Sequence, residues 1–161
     1  MLMISLVHIA INMHTKTKTH TYKFLSQLAI ILYHTRESAI QSSSHLRSIG
    51  SPLRVTARAF VGGASTREDR TALTAGVQVV CATPGRAFDL MARAQWDVTG
   101  VKLIVFDRFL DLKQVEMWEQ ALRDVFAKLP SKVQACVLAD NKEVLDKLSA
   151  LLKRELIHIA A

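Results

Sequence analysis

Cysteine is scarce in this 161-residue chain, which has two, Cys81 and Cys136. Each sits in or beside an apolar run, VQVVC and VQACVL, with no metal-ligand spacing between them. That excludes a disulfide framework, and both read as reduced core residues. Reduced cysteines suit a cytoplasmic protein, with the nucleus as the other option. Aromatic residues are also few, at 6%, so the core must be built from Val, Leu, Ile and Ala. The N-terminal MLMISLVHIAINM is too short to span a bilayer. It has no basic residue before its apolar part and no clear small-residue cleavage site, so a buried strand is the reading and no membrane is expected. The basic TKTKTHTYK that follows leaves an organellar address open. Acidic residues are the minority, 14 against 21 Lys plus Arg, which gives a net charge of +7 and a pI near 9.7. An excess of that size favours a polyanionic partner, nucleic acid first and anionic lipid second.

What is present is globular: half the residues are hydrophobic, and the length suits one domain with one core. Short apolar runs rich in β-branched residues predict strands at Ile4–Ile11, Leu28–Tyr33, Arg54–Val61, Val77–Cys81, Val101–Phe106 and Val133–Leu138, with a weaker one at Leu156–Ile159. Most are continuously apolar, as strands buried on both faces must be. Between them lie helical patterns. Ser65 with Glu68 forms a capping box for a helix ending near Gly76. Thr83 is placed to cap a helix with Pro84 in its first turn. Residues 113–129 put Val115, Trp118, Leu122, Val125 and Leu129 on one face, and Pro130 stops the run. Asp140 with Glu143 forms a second capping box before Val144, Leu145, Leu148, Leu151 and Leu152. SSSHLRSIGSP, near residues 42–52, reads as a loop or a frayed helix end. Strands alternating with helices predict an α/β fold, a parallel β-sheet with helices on both faces. In such folds ligands collect at the carboxyl ends of the strands, where Gly62, Thr83 and Asp107 fall.

Two segments carry phosphate chemistry. In CATPGRAFDLMAR, the run Thr83-Pro84-Gly85-Arg86 puts a helix N-terminus at a strand end, where free N–H groups and the positive dipole end accept an anion. Thr83 adds a hydroxyl, Gly85 allows close approach and Arg86 offers a bidentate fork. An ordinary capped helix start accounts for the same four residues. In VGGASTRED, Gly62-Gly63 lets a backbone pass close to a ligand, and a plain tight turn explains the glycines equally well. A third segment, VKLIVFDRFLDL, ends an apolar run in the acid Asp107, a position where α/β proteins hold a metal ion beside a phosphate.

Residues 61–93, VGGASTREDRTALTAGVQVVCATPGRAFDLMAR, resemble the core of the first RecA-like domain of DEAD-box RNA helicases, and within that family the eukaryotic translation initiation factor 4A members. IILYHTRESAIQ is similar to the family's PTREL segment, VKLIVFD to the strand leading into Asp-Glu-Ala-Asp, and LPSKVQACVLADN to the strand leading into Ser-Ala-Thr. The likeness covers residues 28–160, leaving 1–27 as a poorly matched segment and 28–161 as the RecA-like domain. The second RecA-like domain reads as absent. The resemblance implies a single RecA-like fold and contacts to the RNA backbone from Thr35-Arg36-Glu37, Gly62-Gly63 and Thr83-Pro84-Gly85-Arg86. Such contacts position RNA and carry no sequence code.

The nucleotide side departs from the family. Asp-Glu-Ala-Asp stands here as Asp107-Arg108-Phe109-Leu110, and Ser-Ala-Thr as Ala139-Asp140-Asn141. Asp107 keeps at most a vestigial metal role, because Arg108 cannot act as the general base that a glutamate supplies. The glycine-rich phosphate loop is represented by His14-Thr15-Lys16-Thr17-Lys18-Thr19, whose Lys18-Thr19 pair is the remnant ATP ligand. Its β-branched threonines tolerate positive φ poorly. The family uses Mg-ATP; here no cofactor is expected. The reading is an RNA-backbone-binding lobe whose ATPase and unwinding activity is lost. The alternatives are a module that docks on partners of the full-length helicase, such as translation-initiation scaffold proteins, and a residual ATP-binding fragment.

Overall fold

The computed structural model describes residues 29–53, 55–93, 96–107, 112–138 and 141–152. The strands expected at Ile4–Ile11 and Leu156–Ile159 lie outside those residues, as do Lys18, Thr19, Arg108, Phe109, Leu110, Ala139 and Asp140. Five parallel strands form one sheet: β1 (Ala29–Tyr33), β2 (Ala57–Phe60), β3 (Val79–Ala82), β4 (Leu103–Asp107) and β5 (Gln134–Leu138). Five helices connect and cover them: α1 (Arg36–Gly50), α2 (Thr66–Ala75), α3 (Pro84–Ala92), α4 (Leu112–Lys128) and α5 (Lys142–Leu152). The strand order is β2-β3-β1-β4-β5. Every expected strand within the described residues is present, and the α/β parallel architecture is the one the alternation predicted.

The apolar runs explain the order. β1, β3 and β4 are buried at every position and occupy the middle of the sheet. β2 and β5 mix buried with partly or fully exposed positions and stand at the edges of the described sheet, where Arg58 and Gln134 face water. Side chains two apart share a face. Ile30, Leu32, Val80, Ala82, Ile104, Phe106 and Val137 pack under α2, α3, α4 and α5, through residues such as Leu73, Leu90, Val125 and Leu148. Ala29, Ile31, Tyr33, Cys81, Val105 and Cys136 face the other way, where Ala39 and Leu46 of α1 join them. Each fully buried Leu or Ile contributes about 1.5–3 kcal/mol relative to exposure. Both cysteines are buried and free. Among the described residues no helix is long and apolar enough to cross a membrane.

One local expectation is corrected. The serine-rich stretch is helix through Gly50, followed by a 3-10 turn at Ser51–Leu53. Ala39, Ser43, Leu46 and Gly50 recur at helical spacing and are buried, so packing overrides weak propensity. The serine hydroxyls join the helix: Ser43 donates to the Ile40 carbonyl at 2.8 Å and Ser48 to the Ser44 carbonyl at 3.1 Å. At the start of α5, Asn141 Oδ1 accepts the Glu143 N–H at 2.8 Å, and Asp140 of the expected capping box lies outside the described residues. The Ser65 cap is as expected, accepting from the Glu68 N–H at 3.4 Å, and α2 ends at Gly76 with φ +99°.

Candidate nucleic-acid interface

Three strand ends stand level in the sheet. Leu32 of β1 and Phe60 of β2 are both in register with Ala82 of β3. The segments that leave those ends, at Thr35, Gly62 and Thr83, therefore emerge along one edge. Each leads into the N-terminus of a helix, so three positive dipole ends converge there.

Thr35 caps α1 in extended conformation, φ −118° and ψ 155°. Its Oγ1 accepts the Ser38 N–H at 3.2 Å and donates to the Ser38 hydroxyl at 2.8 Å. Arg36 and Glu37 follow on the exposed first turn. The Arg36 guanidinium lies across Gly62-Gly63: a Cβ on Gly62 would stand 3.3 Å from its Nη2, and one on Gly63 3.2 Å from its Nη1. The glycine pair therefore does two jobs. Its bare backbone seats an arginine, and Gly63, with φ +85°, fills the left-handed third position of a turn closed by the Ala64 N–H on the Val61 carbonyl.

Thr83 and Pro84 open α3 as the sequence suggested, with a different cap. Thr83 is buried, and its side chain makes no cap hydrogen bond; its carbonyl accepts from the Arg86 and Ala87 N–H groups instead. Gly85 meets Trp118 of α4, since a Cβ there would stand 2.9 Å from the ring. The close approach at Gly85 is thus made by an indole, and Trp118 is a packing residue, as its helix face implied.

Arg86 points inward. Its side chain is 9% exposed and ion-paired with Asp69 of α2 at 2.8 Å. Nε also donates to Asp69 Oδ2 at 2.9 Å, Nη2 donates to the Ala64 carbonyl at 2.7 Å, and Nη1 stands 4.0 Å from Asp89. The outward phosphate fork expected of Arg86 is occupied by protein groups. Asp69 is the residue that sequence reasoning missed. The signal was present: an acid four positions before Leu73, on the stripe that α2 buries.

Asp107 ends β4, buried and in register with Tyr33 and Leu138. Its negative charge helps, after burial itself, to push the Cys81 thiol up to about 12. Among the described residues no group of three His, Cys, Asp or Glu is placed to hold a metal ion. The other residues named for the nucleotide, Lys18, Thr19 and Arg108, lie outside the described residues.

The family described as DEAD/DEAH box helicase matches residues 6–139. Eukaryotic initiation factor 4A-3 of Arabidopsis thaliana is 39% identical over 132 residues, which cover 77% of this chain and 32% of that protein. The chain thus spans about a third of the length of the curated relatives it matches. A DEAD box protein from the hyperthermophile Methanococcus jannaschii superposes with a TM-score of 0.71 at 19% identity, over 82% of this chain and 37% of that one. A variant of S. cerevisiae Dbp5, solved bound to Nup159, Gle1, IP6 and ADP, gives 0.67 at 20% identity, over 85% of this chain and 36% of that one. At those identities the solved structures show the fold alone, and that fold is RecA-like.

Proposed function

This chain belongs to the DEAD/DEAH box helicase family, and from that premise we propose that it acts as an RNA-holding lobe, gripping the sugar–phosphate backbone without reading bases or turning over ATP. The observation that carries the proposal is the exposed Arg36 at the start of α1, its guanidinium laid over the Gly62-Gly63 turn that leads into α2. A strand of RNA passing there meets a charged donor fork seated on the glycine turn, beside helix N-termini whose dipoles favour an anion. All of these address phosphates and sugars, so binding is indifferent to base sequence. The net charge of +7 supplies attraction at long range. Loss of turnover rests on Arg108 in the place of a general base and on the glycine-free His14–Thr19 run.

The test is fluorescence anisotropy of a labelled single-stranded RNA, titrated with the chain at several salt concentrations. Affinity falls steeply as salt rises and is equal for unrelated sequences. Arg36→Ala weakens binding by roughly tenfold, the loss of about one charge-assisted contact. It also lowers the slope of log K against log salt by about 0.7, the value for one phosphate on a single strand. Binding that Arg36→Ala leaves intact, or no binding at low salt, rejects this reading and favours a protein-docking module.

A further inference from the structure

We infer that Asp69 is a positioning residue for the RNA surface, acting through Arg86 to fix the glycine turn on which Arg36 rests. The inference builds on the RNA-holding reading and assigns a role to an acid outside the Thr-Arg-Glu, Gly-Gly and Thr-Pro-Gly-Arg elements.

Asp69 is 2% exposed, and a buried carboxylate persists only where charge and hydrogen bonds compensate its lost hydration. Arg86 provides both, with Nε at 2.9 Å and Nη2 at 2.8 Å from the same Oδ2. The same Nη2 reaches the Ala64 carbonyl at 2.7 Å. One guanidinium therefore joins three segments: α2 through Asp69, the Val61–Ala64 turn through a main-chain carbonyl, and α3 through its own backbone. Ala64 follows Gly62-Gly63 directly, so the contact fixes the last residue of the turn that Arg36 covers. The planar fork is essential here, because a lysine ammonium lacks the fixed geometry that serves a carboxylate and a carbonyl together. Asp69 itself makes no phosphate contact; its charge is neutralised within the fold. Arg86 is likewise spent inside the protein, so the charge that meets RNA is that of Arg36.

The experiment compares the full chain with Asp69→Asn, Arg86→Lys and the double variant Asp69→Asn/Arg86→Met. The double variant removes both charges together and leaves no unpaired buried ion, so it folds even where a single change does not. Two readouts are taken: amide hydrogen exchange at residues 62–65 without RNA, and RNA affinity across salt. All three variants are expected to exchange faster at the turn while helix α4 and strand β4 stay protected. All three should bind RNA about tenfold more weakly, with an unchanged salt slope, since no phosphate contact is lost. Arg86→Lys keeps the positive charge and is still expected to fail, which a direct phosphate role for that charge does not predict. Unaltered exchange at residues 62–65 in the variants overturns the inference, as does a salt slope that falls by about 0.7 in the double variant. Faster exchange in the variants, with no RNA binding by the parent chain, retains the positioning role and rejects the RNA reading alone.

Discussion

Cys81 lies on the inner strand β3, and its thiol is pushed up from 9.0 to about 12, first by burial and then by the charge of Asp107. The fold therefore holds the thiol proton more tightly than the unfolded chain does. The stabilisation is fully present below pH 9 and is lost as pH rises from there through about 12. Against Cys81→Ala, the parent chain should lose up to about 1.4 kcal/mol of stability per pH unit within that window. Urea melts between pH 8 and pH 11 measure the difference, and parallel curves for the two proteins would contradict it. Cysteine burial was legible in the sequence, because VQVVC is apolar throughout. The partners of Arg86 were not. Spacing places an arginine at a helix start but says nothing of which way its guanidinium turns, and Asp69 lies 17 residues away on another helix.

Between elements, the tightest contact at the candidate site is α3 against α4, where Trp118 fills the space a side chain on Gly85 would need. Gly85→Ala gains helix propensity, about 0.5–1 kcal/mol, and overlaps the indole, at a cost of about 1–3 kcal/mol. The overlap wins, so the variant should melt lower than the parent chain. In a Trp118→Ala background the overlap is gone and the same change should raise the melting temperature. A drop in both backgrounds would mean that Gly85 is required for its backbone and not for the ring. The strands were readable from continuous apolar runs, and α2 from its capping box. Helix α1 was not, because its serines suggest a loop until Ala39, Leu46 and Gly50 are seen packed on the sheet and start of β2. The cap at Thr83 was not legible either: the threonine is buried after β3 and its side chain makes no cap hydrogen bond.

At the scale of the whole molecule, the residues kept from the family resemblance follow β1, β2 and β3 on the edge proposed to hold RNA, while the departures are in the segments that the family uses for the nucleotide. Mg-ATP is therefore expected to leave the melting temperature unchanged, whereas any ligand of the folded state at a hundredfold over its Kd adds about 2.7 kcal/mol. A saturable rise abolished by Lys18→Ala would return the His14–Thr19 run to nucleotide binding. The strand order has a consequence for synthesis. β1 and β2 come first among the described strands yet do not touch, because β3 is inserted between them. A nascent chain that has emerged as far as β2 holds two apolar strands with no ladder between them. The edge proposed to hold RNA is then completed only when residues 79–86 arrive to supply both the missing strand and the arginine that ties α2 and the glycine turn together.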